Sequence, residues 1–179
     1  MSIRKANSAD IQEIAALYDA LCDWLAGGVN YPGWQKGVYP TIDDAREGIA
    51  SGDMFVFEKD SRIAAAVRLN RQQHPAYASG AWTRETPDDR VTVVHTLAVH
   101  PELSRQGIAG HVVDFAIAYA RERGDAAIRL DVTDGNLPAA RLYEKKGFRF
   151  VGKADLGWGR ALGLPLFGLY ELLLLPEKE

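Results

Sequence analysis

Residues 104–110 read Ser-Arg-Gln-Gly-Ile-Ala-Gly, and they fall where a strand gives way to a helix. Val91 to Val99 is dense in β-branched and apolar residues, the composition of a buried strand. Pro101 stops it. From Ile108 onward, Ile108, Val112, Phe115 or Ala116, and Tyr119 recur at helical spacing. A helix start leaves its first N–H groups unpaired and carries a partial positive charge. Gly107, Ala109 and Gly110 have little or no side chain, so a phosphate has close access to those groups, and Arg105 adds a formal charge. The same glycines also suit a plain turn and a tight helix–strand contact, and the joint alone leaves both readings open. Two further stretches hold rings that suit a ligand. Residues 29–40 carry Tyr31, Trp34 and Tyr39 among glycines and prolines, either to fold over a ligand or to plug the end of a core. Trp82 lies in the polar stretch 71–90, as a substrate contact or a surface ring.

The elements that must position these residues can be read in order. Ile3 to Ala6 is a short strand, and Ser8 is placed to cap a helix running to about Leu25. Gly27 and Gly28 end it. Thr41 caps a second helix, with Asp44 set for an acidic capping box. Met54–Glu58 and Arg62–Asn70 form a hairpin around Lys59-Asp60-Ser61. After the central strand and helix, Gly124 stops the helix and Ala126–Val132 is a strand. Leu137–Lys146 is a short helix with Pro138 in its first turn. Gly147 ends it, Phe148–Gly152 and Leu166–Leu174 are the last strands, and 153–165 is a loop. This order predicts an α+β fold with helices packed on one sheet, and a single domain over 1–179.

Bulk properties narrow the partners. The chain has 179 residues, is 47% hydrophobic and carries a net charge of −3. That suits one packed core and argues against nucleic acid or an anionic membrane as partner. Cys22 is the one cysteine and is expected to be a small packing residue. The N-terminus lacks the apolar core of a signal peptide, and the run Leu172–Leu175 is too short to cross a bilayer, so a cytoplasmic protein is expected.

A second strand–loop–helix follows at 128–150, I-R-L-D-V-T-D-G-N-L-P-A-A-R-L-Y-E-K-K-G-F-R-F. The pair L-A-V-H-P then R-Q-G-I-A-G, followed by N-L-P-A-A-R-L-Y-E-K-K-G-F, resembles the GCN5-related N-acetyltransferase (GNAT) superfamily. The resemblance implies a mostly antiparallel sheet of about seven strands with about four helices, its fourth and fifth strands splayed apart. It implies acetyl-CoA as co-substrate, no metal, and direct attack by a primary amine of a small molecule or peptide. The family's pyrophosphate pattern falls on Ser104, Arg105, Gln106, Gly107, Ile108 and Ala109, with Gly110 completing the row of N–H groups. Ser104 departs from it at the first position, where the family has arginine or glutamine. The pantetheine arm would pair with main chain at Leu97, Ala98 and Val99, with the side chains of Leu97 and Val99 packed inward. Asn136 matches an asparagine that hydrogen-bonds this arm, with Ala139 beside it. Tyr143 matches a tyrosine near the cofactor sulfur, able to donate a proton to the leaving thiolate. As base, His95 is the best candidate: Val93, His95, Leu97 and Val99 share one face of an alternating strand, and an ordinary imidazole titrates near 6.5.

Alternatives stand beside these roles. Asn136 also fits a plain turn residue, Tyr143 a core ring, and His95 a structural histidine. His100 and His111 look like surface residues. Asp23, Asp43 or Glu85 could pair with a cationic acceptor. A homodimer is common in this superfamily. A non-catalytic acyl-CoA-binding or regulatory module on the same fold, or transfer of another acyl group, are the competing functions.

Overall fold

A computed structural model describes residues 2–174 of the chain. Met1 of the expected domain and Leu175 of the apolar run lie outside the described residues. Seven strands form one mixed sheet in the order β1-β2-β3-β4-β5-β7-β6. They are β1 (Ser2–Lys5), β2 (Met54–Lys59), β3 (Arg62–Asn70), β4 (Val91–Val99), β5 (Ala127–Thr133), β6 (Arg149–Ala154) and β7 (Phe167–Leu173). Four helices accompany them: α1 (Ile11–Ala26), α2 (Ile42–Ala50), α3 (Ile108–Glu122) and α4 (Leu137–Lys145). A single extra turn, α5 (Gly159–Leu162), sits inside the stretch expected to be loop. β4 and β5 are parallel, registering Val91 with Ala127, Thr92 with Ile128 and Val93 with Arg129. The other paired neighbours β1–β2, β2–β3, β5–β7 and β6–β7 are antiparallel.

Backbone packing groups the chain into two compact units. The first takes the N-terminal stretch through Leu69 together with His95–Val112, and the second takes Asn70–Val94 and the stretch from Val113 on. The chain passes from one unit to the other inside β4 and again inside α3.

In the first unit, Ile14, Leu17 and Tyr18 of α1 bury against Met54, Val56, Ile63, Ala66 and Ala98. This is the apolar stripe that the sequence spacing predicts, set on the inner face of a hairpin. The α1 entrance differs from expectation. Asn7, not Ser8, is the cap: its side chain accepts the Ala9 N–H at 2.9 Å, while Asp10 accepts the Asn7 N–H at 2.7 Å. A 3-10 turn at Ser8–Asp10 therefore precedes the helix. Arg4 clamps Asp10 at 2.7 and 2.8 Å, and that pairing holds the Asp10 carboxyl below its ordinary range. The Thr41–Asp44 capping box is present as predicted. Cys22 is buried, and burial pushes its thiol up, as expected of an inert packing residue.

In the second unit, the stretch 71–90 is not a free loop. It holds 3-10 turns at Pro75–Ser79 and Asp88–Arg90. Tyr77 and Trp82 pack with Val91, Val93, Ala127 and Leu169. The Ala81 N–H donates to the Val151 carbonyl at 2.9 Å, so the segment lies along β6. Beneath it a charged pair is buried in the sheet. Arg129 donates to Glu171 at 3.2 Å and to Gln73 at 2.9 Å, and its guanidinium lies 4.1 Å from the Trp82 ring centre. Glu171 also accepts the Thr83 N–H at 2.9 Å. Both charges are thus paired and hydrogen-bonded, the condition under which burial is tolerated.

Breaking that pair should strip Arg129 of its counter-charge. Glu171→Ala is expected to lower stability by about 3–5 kcal/mol in urea unfolding. Arg46→Ala, which loses only the exposed contact with Asp43, should change it by less than ~0.5 kcal/mol.

Candidate active site

The first unit contains the glycine corner. After Val99 the chain makes a 3-10 turn at Pro101–Leu103. Arg105 and Gly107 then take left-handed backbone, with φ of 61° and 77°. Glycine suits the second position, since a side chain there is strained. The first hydrogen bond of α3 runs from the His111 N–H to the Gly107 carbonyl at 3.2 Å. The N–H groups of Ile108, Ala109 and Gly110 therefore enter the helix ahead of its ladder, without an intrahelical acceptor. Ile108 is buried and anchors the helix, while Arg105, Gln106 and Gly107 are exposed. A Cβ built on Gly107 would meet no protein atom within 4 Å. The close-contact reason for a glycine is thus absent on the protein side, and the corner stays open to a ligand. Lys59, from the β2–β3 turn, donates to the Gln106 side chain at 2.5 Å. Both border a cleft of about 820 Å³ that Ile108 and His111 also line.

The second half of β4 departs from the expected pattern. Thr96 has φ 47°, left-handed backbone for a β-branched residue inside a strand. Its hydroxyl is hydrogen-bonded to the Tyr39 hydroxyl. One left-handed residue breaks the two-residue alternation, as at a β-bulge. The face Val93, His95, Leu97, Val99 is therefore not continuous. Ala98 is fully buried, whereas His95, Leu97 and Val99 are half-buried, so Leu97 and Val99 are not the inward-packed residues of the strand. Such backbone outliers gather at binding and catalytic sites.

The aromatic loop divides its rings. Trp34 packs against the first unit's core and meets Tyr39 edge-on at 5.8 Å, while Tyr31 stays 43% exposed. Asp23 is paired with Lys36 at 2.7 Å and Asp43 with Arg46 at 2.8 Å. His111 is exposed as expected; His100 is half-buried.

In the second unit, the Asn136 side-chain oxygen caps α4, accepting the Ala139 N–H at 3.3 Å. The turn role and the ligand role are compatible, because the carbonyl oxygen caps while the amide NH2 remains to donate. Tyr143 is buried and meets the Phe148 ring edge-on at 5.5 Å. Its hydroxyl makes no hydrogen bond among the described residues. Burial, and then the nearby Asp131 charge, push this phenol well up, so it stays protonated. Tyr77 donates to Asp131 at 2.6 Å. Trp82 donates its indole N–H to the Tyr77 carbonyl at 2.8 Å, so its polar tip is already engaged.

Sequence reasoning missed Asp131 and Tyr77, which are 54 residues apart. One signal was present: Arg129 and Asp131 put charges at alternate positions of an otherwise apolar strand. Among the described residues no group of three or more His, Cys, Asp or Glu could hold a metal ion, and no helix is long and apolar enough to cross a membrane.

The two tyrosines should respond differently to loss of their hydroxyls. Tyr143→Phe is expected to change stability by less than ~0.5 kcal/mol. Tyr77→Phe strips Asp131 of its donor and should cost about 1–3 kcal/mol. Urea unfolding of the two variants checks both.

Comparison with known proteins identifies the family and the fold. The sequence matches the acetyltransferase (GNAT) family over residues 15–148. It is 27% identical over 155 residues to the uncharacterized N-acetyltransferase YesJ of Bacillus subtilis, covering 83% of this chain and 82% of that protein. It is 27% identical over 114 residues to streptothricin acetyltransferase of Escherichia coli, covering 64% of this chain and 55% of that protein. An acetyltransferase of the GNAT family from Streptococcus agalactiae has the same fold, with a TM-score of 0.81 over 98% of this chain and 96% of that one, at 19% identity. So has yncA of Salmonella typhimurium, solved with its cofactor acetyl-CoA, with a TM-score of 0.68 over 100% of this chain and 96% of that one, at 17% identity. The extent of the sequence match and the shared strand and helix order lead to one conclusion: this chain belongs to the acetyltransferase (GNAT) family.

Proposed function

We propose that the protein is an N-acetyltransferase that uses acetyl-CoA to acetylate a primary amine of a small molecule or peptide. The observation that carries this reading is the corner at Gly107. Three N–H groups enter α3 without intrahelical acceptors, Gly107 is left-handed, and no protein atom occupies the space beside it. That is the chemistry a diphosphate requires. Arg105, exposed and without an ion pair among the described residues, supplies charge where Ser104 departs from the family pattern. Gln106, Ile108, Ala109 and Gly110 contribute main-chain donors. The acetyl thioester, when bound, supplies the activated carbonyl. Leu97, Ala98 and Val99 align the arm through main chain, and Asn136 offers its amide NH2, with Ala139 alongside.

Tyr143 serves as the acid. Its unpaired, protonated hydroxyl can donate to a departing thiolate, and the same poorly solvated surroundings that raise a phenol also raise a thiol. His95 serves as the base that takes the ammonium proton. Tyr31, Trp34 and Trp82 belong to the segments that would border the acceptor; Tyr31 is the ring most open to contact. Both units are read as one catalytic domain, because β4 and α3 each run from one into the other. A cytoplasmic protein without a membrane or nucleic-acid partner, acting as a homodimer, completes the proposal.

The decisive experiment pairs calorimetric titration of acetyl-CoA with thiol release in the presence of polyamines, amino acids, aminoglycosides and peptides. Gly107→Glu should weaken acetyl-CoA binding at least ~10-fold through bulk and like-charge repulsion; unchanged affinity would overturn the diphosphate corner. Tyr143→Phe should lower turnover by about 100-fold with little change in cofactor affinity. In His95→Ala the acid limb of the pH–rate profile should vanish, and its persistence would assign the base elsewhere. Tight acetyl-CoA binding with no thiol release on any amine would point instead to a binding or regulatory module.

A further inference from the structure

The two buried carboxylates of the second unit, Asp125 and Glu171, are each paired with a cation, and the half-buried Asp131 is not. Asp125 is paired with Arg71 at 2.6 Å and accepts the Thr92 hydroxyl. Glu171 is paired with Arg129 at 3.1 Å and accepts a main-chain N–H. Asp131 has no lysine, arginine or histidine within ion-pair distance among the described residues. Its single hydrogen bond is to the Tyr77 hydroxyl, at Oδ1, and Oδ2 has no partner among the described residues. The residue is half-buried, so that oxygen is crowded by protein yet reachable.

The surroundings offer no internal counter-charge. Asp131 lies on β5 opposite Leu169 of β7. Tyr77 covers it from the segment 71–90. Tyr143, on α4, is near enough for its phenol to be pushed up by the Asp131 charge. His74 is the one cationic-capable group that influences it, and the His74 Nδ1 is occupied by the Ala76 N–H at 3.1 Å. A carboxylate held this way is expensive unless a cation arrives or it takes a proton. Burial indeed raises the Asp131 carboxyl, opposed by the Tyr77 hydrogen bond. Amine acceptors of an N-acetyltransferase arrive largely as ammonium ions.

We propose that Asp131, steadied by Tyr77, is the carboxylate that receives the cationic group of the amine acceptor. The assignment rests on the N-acetyltransferase reading above. Oδ2 supplies the charge and acceptor for the ammonium, and the Tyr77 hydroxyl fixes Oδ1 so that the carboxylate cannot swing away. The acceptor is thereby predicted to be a cation at its reacting or neighbouring nitrogen, not a neutral amide or alcohol.

The test uses the full chain with 13C-labelled aspartate, probed by n-butylammonium chloride and, as an uncharged shape control, n-butanol. The Asp131 carboxyl resonance is assigned by its loss in Asp131→Asn. Saturable movement of that resonance by butylammonium but not by butanol is expected. So is butylammonium binding at least ~10-fold weaker in Asp131→Asn by saturation transfer, with part of it restored in Asp131→Glu. An unmoved resonance, or equal movement by butanol, overturns the proposal. If Asp131→Asn fails to fold, Asp131→Glu gives the assignment by loss of the same signal. Acetyl-CoA titration of the same sample separates the two claims. Loss of acetyl-CoA binding with an intact ammonium response would refute the acetyltransferase reading and leave the subsite standing. The reverse pattern would refute the subsite alone.

Discussion

Ile108, Ala109 and Gly110 begin a helix before that helix has any carbonyl to offer them. This is a constraint of α-helical geometry, not of these residues, and every helix meets it. What differs here is how the chain leaves the shortfall. At α1 and α2 the polar side chains of Asn7, Asp10, Thr41 and Asp44 fold back to satisfy the first turn. At α3 the preceding residues are Gln106 and Gly107, and the Gln106 side chain is turned to Lys59 instead. The starts of α1, α2 and α4 are closed by side chains of the protein, Asn136 capping the last, and that of α3 is presented outward behind a left-handed glycine. The rest of the first unit reads as support for that choice. Ile108 pins the helix, and Ala98 ties the end of β4 to the core beneath α1.

The second unit handles charge by the opposite means. Arg129 and Glu171 form a mutually neutralising pair inside the sheet, and Asp125, just before β5, is neutralised by the part-buried Arg71, with Gln73, Thr92 and the Thr83 N–H adding hydrogen bonds. A register slip would strand both ions of such a pair, which adds to the apolar pattern that fixes the register. Tyr143 and Asp131 stand outside this economy of pairs. Each is crowded, polar and incompletely bonded, and side chains of that kind are exceptional in folded proteins.

Much of this was legible in the sequence. Helical spacing located α1 and α3, β-branched density located β4, and Thr41 with Asp44 announced the α2 cap. The paired motifs indicated the family. What escaped was non-local or conformational. Ser8 and Asn7 are equally good caps by composition, and only Asp10 turning back to the Asn7 N–H decides between them. The left-handed Thr96 is invisible because threonine is an ordinary strand residue, so strict alternation misassigned Leu97 and Val99. The segment 71–90 looked like a loop because its ties, to Arg129, Glu171, Asp131 and the Val151 carbonyl, are contributed by residues far along the chain.

Those ties have an engineering meaning. A segment bolted down at Gln73, Tyr77, Ala81, Trp82 and Thr83 is a template, not a flap. Transplanting 71–90 into a sister scaffold would succeed only where the recipient strands already carry an arginine, a glutamate and an aspartate in the positions that Arg129, Glu171 and Asp131 hold here. The segment and its three receptors on the sheet therefore form one structural cassette.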